Sequence, residues 1–364
     1  MKRIGRVSVL TLCALGIFFS MGAYAAPRYE ITDLGALLGV DYSFASSINS
    51  KGLVTGNADG QLFVYDPSAG VKVLGDGLNA SAINASGAIA GDNSSRGFVY
   101  SNGEMQWMTS LPGGRLTFAT AINDEGLVAG AATDSTGRFH AVLRGSDGKT
   151  QDLGVLAGKT DSALYAINNH GVAAGTGYSA WGENPNMPNR AFRTTASGLQ
   201  ALPLLAGGTS SSASAINDLG DILGYGDNAS GQVVGIVWRD GVAFELPSMD
   251  PAVTTTALDI NNLGQAVGQA WVRSDWLRGV LFEEGKISYI DYLVGAEYLN
   301  GWSFDAAVGI NDRGQIVGAG LLNGDVHAYV LTPVSVPVPE PESMALFLTG
   351  LAGLAFAQRK WGRR

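Results

Sequence analysis

Short runs of apolar residues, broken by residues that favour tight turns, recur along most of the chain. One stretch reads SSASAINDLGDILGYG from Ser211, where two such runs flank Asn217-Asp218-Leu219-Gly220. Asn can hydrogen-bond its own backbone two residues on, and Gly accepts a positive φ, so this tetrapeptide is typical of a turn between antiparallel strands. The pattern therefore predicts a β-hairpin.

The same hairpin signal occurs seven times. Copies of Ile-Asn-x-x-Gly-x-x-x-Gly begin at Ile48, Ile83, Ile122, Ile167, Ile216, Ile260 and Ile310. The Asn and Gly of each turn are Asn49 and Gly52, Asn84 and Gly87, Asn123 and Gly126, Asn168 and Gly171, Asn217 and Gly220, Asn261 and Gly264, and Asn311 and Gly314. Successive copies are 35 to 50 residues apart, a period that suits one four-stranded propeller blade.

Each unit is interpreted as four strands, A to D, with the motif as the A–B turn. Turns between strands C and D end at Gly70, Gly103, Gly148, Gly198, Gly241 and Gly285, so the seventh unit lacks its strand D. An unpaired segment, YEITDLG from Tyr29, precedes the first unit and resembles TQDLG from Thr150. The sequence predicts an all-β, seven-bladed propeller closed by the N-terminal strand, which hides the sheet edges. A β-solenoid and a pair of β-sandwiches are the alternatives.

The composition fits many turns and an acidic surface. Gly accounts for 51 of 364 residues, about twice the usual share. The net charge is −9, and the two predicted processed ends hold seven of the 23 basic residues but one of the 32 acidic ones. The mature part is therefore more acidic still, which makes nucleic acid an unsuitable partner. The one cysteine, Cys13, lies in the N-terminal segment, so no disulfide is expected.

The N-terminus has the order of a secretory signal peptide. A basic start, an apolar run from Val7 to Met21 and Ala23-Tyr24-Ala25 precede Ala26. We expect residues 1–25 to be removed by signal peptidase after Ala25. An uncleaved membrane anchor is the alternative.

The C-terminus has three parts that follow the predicted propeller of residues 26–332. Residues 333–341 form a proline-rich linker, and residues 342–364 form an apolar helix with a basic tail. The tail resembles the PEP-CTERM sorting signal of Gram-negative bacteria. The matching residues are Val338, Pro339, Glu340, Pro341, Arg359, Lys360, Arg363 and Arg364. That resemblance implies processing by exosortase, a transient inner-membrane anchor, and association with exopolysaccharide or biofilm systems. A plain membrane anchor is the alternative.

The repeats themselves resemble the HAF family of extracellular repeats. The similarity rests on the Ile-Asn-x-x-Gly motifs and on the strand C starts HAVL at His140 and HAYV at His327. Other units depart from it, as in RAFR at Arg190 and GIVW at Gly235. The resemblance covers about residues 30 to 332 and implies an extracellular location rather than a mechanism.

No catalytic motif stands out, and no cofactor or metal is expected. His140 and His327 hold matching repeat positions, and His170 is a variable turn residue, so the three are not expected to bind a metal. Asp124, Asp218 and Asp312 each follow a motif Asn. They suggest calcium, but each lies singly in its turn without the clustered oxygens that calcium needs. We expect them to support turn geometry.

Candidate binding residues lie on the B–C and D–A loops, which share one face and vary in length. The aromatic candidates in the segments TGYSAWGENPNMPNR, QAWVRSDWLRG and GAEYLNGWSFD are Trp181, Trp271, Trp276, Tyr298 and Trp302. Aromatic rings beside Asn, Asp and Arg suit sugar binding. Packing of the loops onto the blades is the plainer interpretation.

The sequence thus predicts an exported, surface- or matrix-associated protein with a non-catalytic binding or structural role, and the PEP-CTERM resemblance implies a link to exopolysaccharide or biofilm. The alternative is a polysaccharide hydrolase or lyase. A close pair of carboxylates on the variable face would favour an enzyme, and the candidates are Asp250, Asp275, Glu297 and Asp305.

Overall fold

The computed structural model describes residues 29–179, 188–250, 253–273, 276–295 and 299–334. The predicted signal peptide, with Ala23, Ala25 and Ala26, lies outside these residues, as do the linker beyond residue 334 and the sorting helix. Within the described residues, 28 strands form seven four-stranded antiparallel sheets. This arrangement confirms the seven-bladed propeller.

The four strands of each blade run outward from a central channel in the order A, B, C, D. Strands A, which each end on a motif Ile, are β2 (Ser43–Ile48), β6 (Asn79–Ile83), β10 (Thr117–Ile122), β14 (Asp161–Ile167), β18 (Ser211–Ile216), β22 (Thr254–Ile260) and β26 (Trp302–Ile310). Strands B are β3 (Val54–Ala58), β7 (Ile89–Asp92), β11 (Val128–Thr133), β15 (Ala173–Tyr178), β19 (Ile222–Asp227), β23 (Ala266–Arg273) and β27 (Ile316–Leu322).

The outer strands complete the blades. Strands C are β4 (Gln61–Asp66), β8 (Gly97–Ser101), β12 (Phe139–Arg144), β16 (Arg190–Thr195), β20 (Val233–Arg239), β24 (Trp276–Glu283) and β28 (Asp325–Pro333). Strands D are β5 (Gly70–Asp76), β9 (Glu104–Trp107), β13 (Thr150–Gly154), β17 (Gly198–Ala201), β21 (Val242–Glu245), β25 (Lys286–Tyr289) and, for the seventh blade, β1 (Tyr29–Asp33).

The ring closes through the N-terminal strand, as the sequence predicts. Strand β1 pairs antiparallel with β28, from Tyr29 opposite Pro333 to Asp33 opposite Tyr329. Pro333, which we expected to begin the linker, is therefore the last residue of β28. Because Pro lacks an N–H, its place at the end of a strand costs no internal ladder bond.

Two short helices in D–A connections were not predicted. Helix α1 (Leu34–Leu38) follows β1, and α2 (Ile290–Val294) follows β25. The Asp33 carboxylate caps α1 by accepting a hydrogen bond from the N–H of Ala36 at 2.9 Å, and Gly39 ends it with φ +71°. Each helix is only five residues long, and such short segments carry too little periodicity to be recognised in a sequence.

The core is divided into seven apolar clusters, each between two neighbouring blades. In one of them, Leu34 and Ala328 of the last blade pack against Ala45 and Phe63 of the first. Burial between blades, rather than within one sheet, is the main source of stability in such a ring, since a single blade leaves both faces exposed.

The motif glycines have two different physical roles. The turn glycines adopt positive φ, as at Gly220 with φ +86°. The strand B glycines lie against a bulge in strand A, and a Cβ on Gly224 would be 2.0 Å from the carbonyl oxygen of Ser212. The equivalent Cβ in the other six blades would lie 1.9 to 2.1 Å from a strand A carbonyl. The sequence showed these glycines but gave no sign of that contact.

Candidate functional site

The seven motif asparagines form a closed ring of hydrogen bonds around the central channel. The side-chain amide of each donates to the backbone carbonyl of the motif Asn in the next blade, at 2.7 to 3.1 Å. Asn311 of the last blade donates to Asn49 of the first at 3.0 Å, which completes the circle. Each side-chain oxygen also accepts from the N–H four residues on within its own turn. These asparagines therefore join the blades.

We expect Asn168→Ala to destabilise the protein by about 3 kcal/mol, because it removes a hydrogen bond between blades and takes the acceptor from two partly buried N–H groups of its own turn. Asn168 is buried, donates to Asn217 and accepts from His170 and Val172. The matched control is Asn228→Ala, since Asn228 makes the same local turn bonds to Ser230 and Gln232 on an exposed loop. Urea unfolding compares the two. Equal losses would show that the bond between blades contributes nothing.

A second set of hydrogen bonds joins the residues that directly follow the motif Asn in blades 2 to 7. The N–H of Asp124 donates to Asn169, that of Asn169 to Asp218, that of Asp218 to Asn262 and that of Asn262 to Asp312, at 2.8 to 3.0 Å. The arc also includes Ala85, whose N–H donates to Asp124 at 2.7 Å. The three aspartates lie in turns as predicted, but their bonds run between blades.

The channel behind these turns is a cavity of about 530 Å³. Its wall includes Tyr165 and the half-buried Asp259, whose carboxylate accepts from the N–H groups of Ile260 and Ile310 at 2.9 Å. Desolvation raises the pKa of Asp259 to about 7, and the charge of Asp312 adds to the rise. Among the described residues, no group of three or more His, Cys, Asp or Glu is placed to hold a metal ion.

Two of the three histidines form equivalent pairs with aspartates of strand D. His140 Nδ1 lies 2.9 Å from Asp152, and His327 Nδ1 lies 2.9 Å from Asp33. The second pair joins the two ends of the propeller, and Gly35 allows it, since a Cβ there would lie 2.5 Å from the His327 ring. Both histidines are repeat residues, as the sequence indicates, with a structural role.

The face formed by the B–C and D–A loops, here called the variable face, carries the candidate aromatics in different states. Trp181 and Tyr298 lie outside the described residues. Trp271 is 42% exposed. Trp271 and Trp276 were expected on a long loop but belong to strands β23 and β24, which extend this hairpin.

Trp302 is not an exposed candidate. It is buried at the start of β26, where its ring stacks on Phe304 at 5.5 Å and meets Tyr329 edge-on at 6.2 Å. Trp302 was assigned to a loop but begins a strand, which turns its side chain into the core between blades 6 and 7, in line with the packing interpretation rather than the sugar-binding one.

Two other aromatics and one methionine that are exposed at this face were missed. Tyr292 on α2 is 76% exposed and contacts Tyr289 with ring centroids 5.7 Å apart. Trp107, at the end of β9, is also exposed, but the Arg96 guanidinium covers its ring at 5.3 Å. The residues PSMD from Pro247 place the exposed Met249 on the adjoining D–A connection.

A cluster of charged residues lies beside α2. Arg278 Nη1 is 3.0 Å from Asp291 Oδ2 and 3.4 Å from Ser303 Oγ, and Ser303 lies 3.5 Å from Asp305. Burial raises the pKa of Asp305, and the charge of Asp291 adds to the rise, while Ser303 and Arg278 oppose it. Of the carboxylates predicted from sequence, Asp305 belongs to this cluster. Asp250 is exposed on the D–A connection between blades 5 and 6, and Asp275 and Glu297 lie outside the described residues.

Solved structures share the fold at low sequence identity. The β-propeller domain of the trilobed protease from Pyrococcus furiosus has a TM-score of 0.56 and 9% identity, covering 82% of this chain and 99% of that one. A puromycin-hydrolyzing peptidase from Mycobacterium tuberculosis has a TM-score of 0.52 and 14% identity, covering 82% and 52%. Virginiamycin B lyase from Staphylococcus aureus has a TM-score of 0.47 and 12% identity, covering 84% and 99%. The first two similarities show the propeller fold alone.

Curated proteins provide no significant sequence match. No helix among the described residues is long and apolar enough to cross a membrane. The model of the PEP-CTERM protein-sorting motif matches residues 337–360, which include Val338 to Pro341, Arg359 and Lys360. The chain therefore ends in a PEP-CTERM motif, which indicates an exported protein that is sorted by exosortase.

Proposed function

We propose that this propeller binds polysaccharide of the cell envelope or matrix, without cleaving it, through the blade 6 part of its variable face. The observation that carries the proposal is the exposed Trp271 in a rigid strand of that face. An exposed Trp offers an apolar surface on which a sugar ring can stack, and a strand holds it in place before binding. Tyr292 on α2 adds a second exposed ring to the same face.

The repeated motifs support this assignment indirectly. Their Asn and Asp residues make hydrogen bonds between blades, and their Gly residues fit the turn and the strand A bulge, so the motifs provide the frame rather than the chemistry. The exosortase motif supports a location outside the cell, where polysaccharide is available. Association with exopolysaccharide or a biofilm remains part of the proposal.

We expect Trp271→Ala to weaken binding to the host exopolysaccharide about tenfold, on the order of the 1–3 kcal/mol measured for a flat ring stacked on an aromatic side chain. The exported protein, produced from the full-length gene, is pulled down with that polysaccharide. Phe244→Ala is the matched control: Phe244 is 50% exposed on β21, the outer edge of blade 5. If both variants fold and are retained equally by the polysaccharide, the binding site does not lie on this face.

A hydrolase or lyase is the second candidate, on the strength of the cluster of Asp291, Arg278 and Asp305. A carboxyl group with a raised pKa suits a general acid. The arrangement nevertheless resembles an ion-paired support for α2, because Arg278 lies between the carboxylates. Release of new reducing or unsaturated sugar ends from the same polysaccharide would favour the enzyme over the binding protein.

A further inference from the structure

A pocket of about 310 Å³, separate from the central channel, lies on the variable face at blade 4. It is lined by residues of the D–A connections on either side of the blade and by the start of strand C, among them Leu156, Lys159, Asn189, Arg190, Ala201 and Thr209. The volume corresponds to the lower end of small-molecule sites and accommodates about one sugar ring. Two cations in one pocket are unusual for a chain with a net charge of −9.

The equivalent positions of other blades show what is missing here. In blades 3 and 7 strand C carries a His, His140 or His327, that pairs with an Asp of strand D. Strand registers place Arg190 where His140 lies, and Ala201 where Asp152 lies. In blade 4 the methyl group of Ala201 therefore takes the place of the carboxylate. Arg190, which is always charged, takes the place of the histidine.

Among the residues that the structure describes, Arg190 has no partner that replaces that carboxylate. Its Nε is buried without a hydrogen bond, and among the described residues no ion pair involves its guanidinium. Burying such a donor is costly unless something accepts from it. Asp161, two residues after Lys159, pairs with Arg138 at 3.3 Å.

Lys159 lies beside Arg190. A Cβ on Gly177, the residue opposite Arg190 in the β15–β16 ladder, would be 2.9 Å from Lys159 Cγ, so the lysine stem crosses the backbone at that point. The ammonium donates to the carbonyl oxygen of Pro188 and keeps further protons for another acceptor. Burial lowers the pKa of Lys159, and the charge of Arg190 lowers it further.

We propose that Arg190 and Lys159 bind an anionic group, a carboxylate or a phosphate, carried by a ligand of about one sugar ring. An anion accepts from the buried Nε, relieves the repulsion between the two cations and fills the place that Asp152 occupies in blade 3. A uronic acid of an acidic polysaccharide and a sugar phosphate both present this chemistry. The polysaccharide source rests on the proposed function, whereas the anion site itself does not.

The test is calorimetric titration of the exported protein at low ionic strength with methyl glucuronide, glucose 1-phosphate and methyl glucoside. We expect roughly millimolar, salt-sensitive binding of at least one anion and none of the neutral glucoside. Whichever anion binds identifies the source of the charge. Because polysaccharide is not used, failure of the pull-down with Trp271→Ala does not affect this result.

Two variants decide whether the pocket is responsible. Arg190→Gln should weaken anion binding about tenfold or more, as expected for a charge-assisted hydrogen bond. Ala201→Asp should abolish it while the protein stays folded, because the new carboxylate pairs with Arg190 as Asp152 pairs with His140. Arg193→Gln is the control, since Arg193 is exposed on the same strand and already bonded to Gln200. Absence of anion binding, or binding that Ala201→Asp and Arg190→Gln leave unchanged, would overturn the proposal.

Discussion

Deletion of Tyr29–Asp33, with the signal peptide left in place, is expected to abolish the stable monomer. The five residue pairs between β1 and β28 would be lost, together with the buried Tyr29 and the His327–Asp33 pair. Each hydrogen bond contributes about 0.5–1.5 kcal/mol net, and burial of the Tyr29 side chain contributes about 2 kcal/mol. The summed loss approaches the entire free energy of unfolding of a typical protein, about 5–15 kcal/mol. Size-exclusion chromatography and thermal unfolding measure the result.

The exposed β28 edge should also cause aggregation, since an unpaired strand accepts strands from other molecules. The matched control replaces Ile31 with Thr and Thr32 with Gln, which gives β1 the sequence that precedes Asp152 in blade 3. This variant should remain monomeric, and a synthetic peptide of residues 29–38 should restore the deleted protein. A deleted protein that stays monomeric with an unchanged Tm would show that β1 does not hold the ring closed.

Gly224→Ala is expected to cost at least about 3 kcal/mol of stability, at the upper end of overpacking costs. The new methyl group would lie 2.0 Å from the Ser212 carbonyl oxygen, and relief requires the bulge of strand A to move. That bulge lines the central channel next to blade 6, so its movement also strains the contact between blades. Urea unfolding and the yield of folded protein measure the loss.

Gly220→Ala, in the turn of the same motif copy, separates the two reasons for a glycine. It has φ +86° with nothing within 4 Å of the added Cβ, so only the left-handed backbone is penalised, by about 1–2 kcal/mol. We expect the strand variant to lose clearly more stability than the turn variant. A larger loss for the turn variant would mean that the bulge adjusts easily and that the turn is the main reason for glycine in the motif.

The Pyrococcus domain with the same fold has an open velcro topology, whereas here a strand from the other end of the chain completes the last blade. The sequence allowed this closure to be predicted, because counting six C–D turns against seven motifs left YEITDLG as the missing strand D. The counting argument works for local patterns that repeat, since each copy tests the interpretation of the others.

Arguments about individual side chains were less successful. Trp302 was a ligand candidate because its segment was assigned to a D–A loop, but strand β26 begins at that residue and buries it. Tyr292 was missed because the five-residue helix that exposes it has no recognisable sequence pattern. Exposure depends on which neighbour covers a residue, and that neighbour can lie far along the chain, as Tyr329 of β28 does for Trp302 of β26.

The sequence alone determined the number of blades, the positions of the turns, the order of strands and the sorting motif, because these depend on residues close together in the chain. Only the tertiary structure decided why the motif is Asn rather than another turn residue: its amide donates to the next blade, 35 to 50 residues away and, for Asn311, across the closure of the ring. Only the structure likewise brought Arg190, Lys159 and Ala201 into one pocket. Contacts between distant segments leave no periodic signal, so they emerge once the ring is closed.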